Sequence, residues 1–296
     1  MTADNVHLVF ASPRVLPKAA KLSGRVAVLD VAFVADELGT SFSGTTLKLI
    51  QDLGPRLAVW VDHHDHDRHP DFAADPRFVL AKKSEHGACP EMVSPELVAR
   101  IGPVDTILCH LDLDGLYAAA KWLRGGLEPY PGADADARAV DTRIGTPSPI
   151  ADRIDRALRA HFRDDDLKLA IVRYVASGAH DIELRQRIDR AAADFDDMEK
   201  ETHRLAGLYQ PRGRAVFVDA QVHARTAFDK TELLLAGQAL AQVAVVRHAG
   251  YVTLAAAFDS GVDFLKMFGI SGGMPTRVTL PEKRLGEVLA RLCAIE

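Results

Sequence analysis

Three segments of this chain place acids and imidazoles directly after apolar runs. Trp60-Val61 leads into Asp62-His63-His64, and Ile107-Leu108-Cys109 leads into His110-Leu111-Asp112-Leu113-Asp114-Gly115. Asp30 interrupts a third run, Val28-Leu29-Asp30-Val31. A carboxylate in a buried strand is costly unless it is paired or bound to a cation. If the three runs are strands of one sheet, their ends gather several carboxylates and imidazoles at one edge. Acids packed that closely repel each other, and divalent cations relieve the repulsion. A site rich in carboxylate oxygen with few imidazoles suits Mn²⁺ or Mg²⁺ better than a metal that prefers thiolates.

Each piece also has an ordinary reading. Asp30 alone can cap a helix or pair with an arginine. Residues 62–69 (DHHDHDRH) also read as a solvated His-rich loop, and H-x-D-x-D-G as a strand exit with Gly115 as the turn residue. Their joint occurrence at comparable strand ends favours chemistry, because ligands of open α/β sheets bind at the carboxyl ends of strands.

The elements that must position these residues follow from the pattern. Val6–Ala11, Arg25–Phe33, Leu57–Val61 and Val104–Cys109 read as strands, the second and third buried and the second nearly continuous in apolar and β-branched residues. Helical spacing lies between them at Pro17–Leu22, Gly44–Leu53, Ser94–Ile101 and Leu116–Leu123, with Ser94 as N-cap and Pro95 at the first position of its helix. This alternation predicts a parallel sheet covered on both faces. Residues 126–150, rich in Pro, Gly, Asp and Ala, read as loop. Helices are expected at Ile150–Arg163 and Leu167–Ala176, and one long amphipathic helix at Asp181–Leu208. A second unit follows: a strand at Ala215–Ala220, a helix at Lys230–Gln242, a hairpin of Gln242–Arg247 with Tyr251–Phe258, a short helix at Phe264–Phe268, a strand at Arg277–Leu280 and a terminal helix at Pro281–Leu292. The expected division is 1–207 and 208–296.

The 296 residues are 48 % hydrophobic and 26 % charged, which fits a globular protein with a sizeable core. The net charge of −5 argues against a footprint on long duplex DNA, which calls for a basic stripe. The surplus of acid lies before residue 208; residues 208–296 hold ten Lys/Arg and eight Asp/Glu. Cys89, Cys109 and Cys293 show no paired spacing, so neither a zinc knuckle nor a disulfide framework is expected. The N-terminus lacks the pattern of a signal peptide and no apolar stretch reaches membrane length, so the expected location is the cytoplasm.

Asp62-His63-His64 after an apolar strand resembles the signature of the DHH phosphoesterases, a superfamily that includes exonucleases, nano-RNases, cyclic-dinucleotide phosphodiesterases and family II pyrophosphatases. His110–Ala119 resembles that superfamily's H-x-D-x-D-G motif, Asp30 its lone aspartate, and His86-Gly87-Ala88 the segment after the DHH triplet. Asp141 resembles the aspartate of the fourth motif, with Asp134 and Asp136 as rivals. Phe264–Leu280, containing Ser271-Gly272-Gly273-Met274-Pro275, resembles the companion DHHA1 domain, although Met274 stands where a Gly-His continuation is usual. The order is permuted: H-x-D-x-D-G comes first in the family and follows the DHH triplet here.

The resemblance implies an α/β fold, with a parallel-sheet catalytic domain of DHH type and a smaller DHHA1-like C-terminal domain. It implies two Mn²⁺ (or Mg²⁺) ions that activate water. His110 and Asp112 belong to one, His63, Asp114 and Asp141 to the other, and Asp30 bridges. His64 acts as proton or hydrogen-bond donor, and Asp62 orients an imidazole. Gly272, Gly273 and Arg277 contact substrate. The implied substrate is a short oligonucleotide or a (di)nucleotide, cleaved at a phosphodiester or phosphomonoester bond in exonuclease-like fashion, with homodimerisation left open. Two other readings stand beside it: hydrolysis of inorganic pyrophosphate or polyphosphate, and a nucleotide-binding regulatory protein with little turnover.

Overall fold

Val26–Leu29, Leu57–Asp62 and Thr106–His110 are apolar at nearly every position, and each packs both of its faces. Ala27, Leu29, Val59, Val61, Ile107 and Cys109 point into one core, while Val26, Val28, Trp60 and Leu108 point into another on the opposite side. A strand buried on both faces has no polar side to show, hence the continuous runs.

The computed structural model describes residues 6–36 and 40–293, with the side chain of Cys293 outside the described set. In chain order the elements are β1 (His7–Ala11), β2 (Val26–Leu29), α1 (Thr46–Leu53), β3 (Leu57–Asp62), β4 (Asp65–His66), β5 (Phe78–Leu80), α2 (Pro95–Ile101), β6 (Thr106–His110), α3 (Leu113–Leu123), α4 (Ala133–Thr142), α5 (Pro149–Ala160), α6 (Asp165–Ala176) and α7 (Ile182–Ala193). They continue with α8 (Phe195–Ala206), β7 (Gln210–Arg212), β8 (Ala215–Asp219), α9 (Ala220–His223), α10 (Lys230–Gln238), β9 (Val243–His248), β10 (Tyr251–Ala255), α11 (Phe264–Phe268), β11 (Gly272–Gly273), β12 (Arg277–Pro281) and α12 (Leu285–Cys293). No helix among the described residues is long and apolar enough to cross a membrane.

The chain divides into two compact units. The first holds residues 1–193 together with Ser271–Gly273, and the second holds the rest. The first is an α/β unit on a five-stranded parallel sheet of order β1-β6-β2-β3-β5. Helices α3 to α7 cover one face, and α1 with the aromatic group Phe33, Phe42 and Trp60 fills the other. The second unit carries a mixed sheet of order β12-β10-β9-β8-β7, in which only β8 and β9 run parallel. The expected β9–β10 hairpin turns through Ala249 and Gly250, both at positive φ (52° and 80°), the geometry of a tight hairpin turn.

Three expectations need correction, and one strand was not anticipated. Residues 126–150 are not all loop. Ala133, Ala137 and Val140 recur at helical spacing and are buried, and alanine-rich α4 forms after the left-handed Gly132. The long helix at 181–208 is two, α7 and α8, broken at Asp194. The run at 25–33 ends as a strand at Leu29, because Asp30 turns to φ 60°. Phe78–Leu80 adds the edge strand β5, three half-buried residues that carry no clear alternation.

Candidate active site

The strand order puts β2 between β6 and β3, with Leu29 opposite both Cys109 and Val61. One step further along, Asp30, His110 and Asp62 stand side by side at the carboxyl edge of the sheet. Aspartate tolerates the left-handed conformation better than most residues, which lets Asp30 leave the strand there. Its amide still donates to Val61 O at 2.8 Å.

The H-x-D-x-D-G segment wraps from β6 into α3. Asp112 is the N-cap of α3, yet its carboxylate makes no cap hydrogen bond and lies 2.7 Å from His110 Nδ1. Gly115 is a steric requirement: a Cβ there would lie 2.7 Å from His110 O. Asp114, in the first turn of the helix, sits with Oδ2 3.3 Å from His63 Nε2 and accepts from the Cys89 amide at 3.3 Å.

His63 and His64 are each fixed through Nδ1. His63 Nδ1 donates to His86 O at 2.9 Å, which turns Nε2 toward Asp30 (3.1 Å) and Asp114. His64 Nδ1 donates to Asp62 Oδ1 at 2.8 Å. Imidazoles oriented this way present one defined nitrogen to a partner. At this sheet edge three groups of side chains lie close enough to share a cation: Asp30–His63–His64, Asp30–His110–Asp112 and His63–Asp114–Asp141. The fourth-motif rivals are engaged elsewhere. Asp134 pairs with Lys121, and Asp136 accepts from Tyr130 and Ser148.

The electrostatics are those of crowded acids. Burial, reinforced by Asp114 and Asp112, pushes Asp30 from an ordinary 3.8 up to about 6. Burial would raise the Asp112 carboxyl too, but His110 beside it prevails and draws it down to about 2. Burial opposes charge on His110, and Asp112 and Asp30 override it and hold its pKa well up. Burial likewise works against charge on His63, while Asp114 and Asp30 lift it to about 11. For Asp62, burial is outweighed by His64, His63 and His69, which keep it below the usual carboxylate value.

Both oxygens of Asp30, Oδ2 of Asp62, Nδ1 of His110 and Oδ1 of Asp112 are buried with no hydrogen-bond partner. The His110–Asp112 approach is short but lacks hydrogen-bond geometry. Buried polar atoms are nearly always satisfied, so five orphans in one cluster mark a site built for a further charged group. The Asp30–His110–Asp112 set therefore fits a divalent cation. The His63–Asp114–Asp141 set is different: the ammonium of Lys83 already lies there, bonded to Asp141 Oδ2 and 3.3 Å from His63 Nε2. Burial opposes the charge on Lys83, but Asp141, Asp114 and Asp30 hold it firmly protonated.

Lys83 is the residue that strand-end reasoning missed. It follows β5 by three residues, so recognising that edge strand would have pointed to it. Of the expected substrate contacts, Gly272 and Gly273 pair as β11 with His66 and Asp65 of β4, just past the DHH triplet, in the first unit. A Cβ on Gly272 would lie 2.2 Å from the His66 ring, so only glycine fits. Arg277 belongs to the second unit, where it donates to Thr231 Oγ1 at 3.1 Å.

No protein-family profile matches the chain, and no curated protein sequence does. Among solved structures, the pGpG-specific phosphodiesterase PggH from Vibrio cholerae aligns over 93 % of this chain and 100 % of its own, at 10 % identity and a TM-score of 0.42.

Proposed function

We propose that this chain is a metal-dependent phosphoesterase that hydrolyses phosphodiester or phosphomonoester bonds of short oligonucleotides or dinucleotides. The observation that carries the reading is Asp30, fully buried with neither oxygen hydrogen-bonded, amid His63, His110, Asp112 and Asp114. A buried carboxylate without a hydrogen bond costs stability unless a charged partner or a cation offsets it. Asp30, His110 and Asp112 would hold Mn²⁺ or Mg²⁺. A cation there supplies Lewis-acid charge to a phosphoryl oxygen and makes water nucleophilic near neutral pH.

The protein's own groups do the rest. Asp62 fixes the His64 tautomer, leaving Nε2 to hold or deliver a proton at a phosphoryl or leaving-group oxygen. The backbone around Gly272 and Gly273, next to the DHH loop, is the proposed contact for the substrate's phosphate. The slight basic surplus of residues 208–296 suits an anionic nucleotide end.

The test is product analysis with a labelled dinucleotide and a short oligomer. Mn²⁺ is expected to stimulate release of mononucleotides. Consumption of pyrophosphate or polyphosphate alone would replace this reading by inorganic hydrolysis. Tight nucleotide binding without turnover in Mn²⁺, Mg²⁺ or Co²⁺ would replace it by a regulatory role. His64→Gln is expected to lower kcat by about 10²–10⁴-fold, the range of a lost general acid, while bound Mn²⁺ stays at the wild-type level. Loss of the metal would instead make His64 a ligand.

A further inference from the structure

We infer that Lys83 stands in for a second metal ion, so that the centre takes one divalent cation per chain, held by Asp30, His110 and Asp112. The inference rests on the proposal that this ligand set binds metal at all.

His63, Asp114 and Asp141 present ligand atoms within 4.8 Å of one another, spacing that suits a cation. The Lys83 ammonium is at that position. It is bonded to Asp141 Oδ2 and lies 3.3 Å from His63 Nε2, the nitrogen left facing inward because Nδ1 is committed to His86 O. A second ion would need the same Nε2 and the same Asp141 oxygen. Lysine usually extends its charge to water along its apolar stem. Here the side chain is only 2 % exposed, so the charge is held inside. The main chain directs it there: the Lys83 amide donates to Asp65 Oδ2 at 3.3 Å, anchoring the segment after β5 to the loop that follows the DHH triplet. Expelling the ammonium to admit an ion would strand a buried charge beside a new dication, and breaking one side of a buried pair is strongly unfavourable.

An ammonium and a metal ion are not equivalent. The lysine carries one positive charge, needs no free metal, and offers hydrogen atoms where an ion offers coordination sites. It can balance Asp141 and Asp114, but it cannot acidify water. A single ion held by Asp30, His110 and Asp112 would then have to supply the Lewis acidity alone, and turnover should rise hyperbolically, not sigmoidally, with Mn²⁺.

The experiment counts metal. Wild-type protein is equilibrated with Mn²⁺, freed of excess and analysed for manganese per chain and by electron paramagnetic resonance. One Mn²⁺ per chain with an uncoupled six-line spectrum is expected. Lys83→Met should double the count, give an exchange-coupled spectrum, and gain more in Tm from Mn²⁺ than wild type does. Lys83→Gln repeats the test with a side chain that hydrogen-bonds, and the wild-type count stands whether or not either variant folds. Two ions in wild type would overturn the inference, as would a single ion in a folded Lys83→Met or Lys83→Gln. Wild type that takes no Mn²⁺ would overturn the proposed metal chemistry as well, and is told apart by the absence of any bound ion.

Discussion

Asp30→Asn is expected to lower turnover by about 10²–10³-fold, the scale of lost electrostatic stabilisation, while making the metal-free protein more stable. The two effects share one cause. Asp30 is fully buried, Asp114 and Asp112 repel it, and the neighbouring His110 and His63 offset only part of that penalty. Its pKa is raised in the folded state, from 3.8 to about 6, so the ionised form is penalised by folding. A raised acid imposes no penalty below its unfolded pKa, and the penalty develops as pH rises toward the folded value. The stability gain of Asp30→Asn over wild type, measured without metal, should therefore appear between about pH 4 and 6 and level off above. At 1.36 kcal/mol per pKa unit the plateau is at most about 3 kcal/mol. Asparagine also accepts the left-handed backbone at this position, so the exchange adds no strain. With Mn²⁺ present the order reverses, because the wild type gains binding energy that the variant cannot. Thermal melts of both proteins with and without Mn²⁺ across this pH range provide the check. A variant that is destabilised without metal, or stabilised by Mn²⁺ as much as wild type, would remove Asp30 from the centre.

This crossing of stability and function explains why parts of the site were legible in the sequence. Asp30 stood out because it breaks a run that would otherwise bury smoothly. Asp62 and His110 stood out because each closes such a run. Two-sided burial leaves an unmistakable apolar trace, and an acid at its end has few structural uses. What the trace lacks is neighbourhood. Nothing local states that β2 lies between β6 and β3, a non-local pairing that brings residues 30, 62 and 110 together. Lys83 stayed hidden for a related reason: β5 is a three-residue edge strand without a two-sided pattern, so its end was not recognised as an end. Asp141 was expected as a ligand but placed in loop. The Pro and Gly residues before Ala133 drew attention from the alanine spacing that makes α4 and aims its last turn at His63. The break at Asp194 has no Gly or Pro to announce it, and tertiary packing divides what periodicity alone joins. The β4–β11 pairing is equally non-local, although Gly272 answers to a plain steric need.

The same physics sets the largest expected effect of a purely steric change, Gly115→Ala. In a helix, alanine is ordinarily the better residue by up to about 1 kcal/mol. Gly286 in α12 meets nothing within 4 Å of an added Cβ, so Gly286→Ala should be neutral or stabilising. At Gly115 the methyl group would meet His110 O at 2.7 Å and His110 C and Cβ at 2.9 Å, backbone and near-backbone atoms with no freedom to swing aside. Overpacking a rigid contact costs about 1–3 kcal/mol, and in a chain of this length each kcal/mol lowers Tm by about 2–4 °C. The functional loss should exceed the loss of stability. The start of α3 carries Asp112 and Asp114, and the strand end it presses against carries His110. Relieving the clash must move α3 away from β6, which separates Asp112 and Asp114 from Asp30 and His63. The proposed metal site, set by distances of 2.7 to 3.5 Å across these elements, would not tolerate such a shift. Gly115→Ala is thus expected to remain folded at low temperature yet bind Mn²⁺ at least about tenfold more weakly, in line with misplaced metal supports. Titration calorimetry of both glycine variants checks the pair. Unchanged affinity in Gly115→Ala would show that the β6–α3 junction does not set the geometry of the centre.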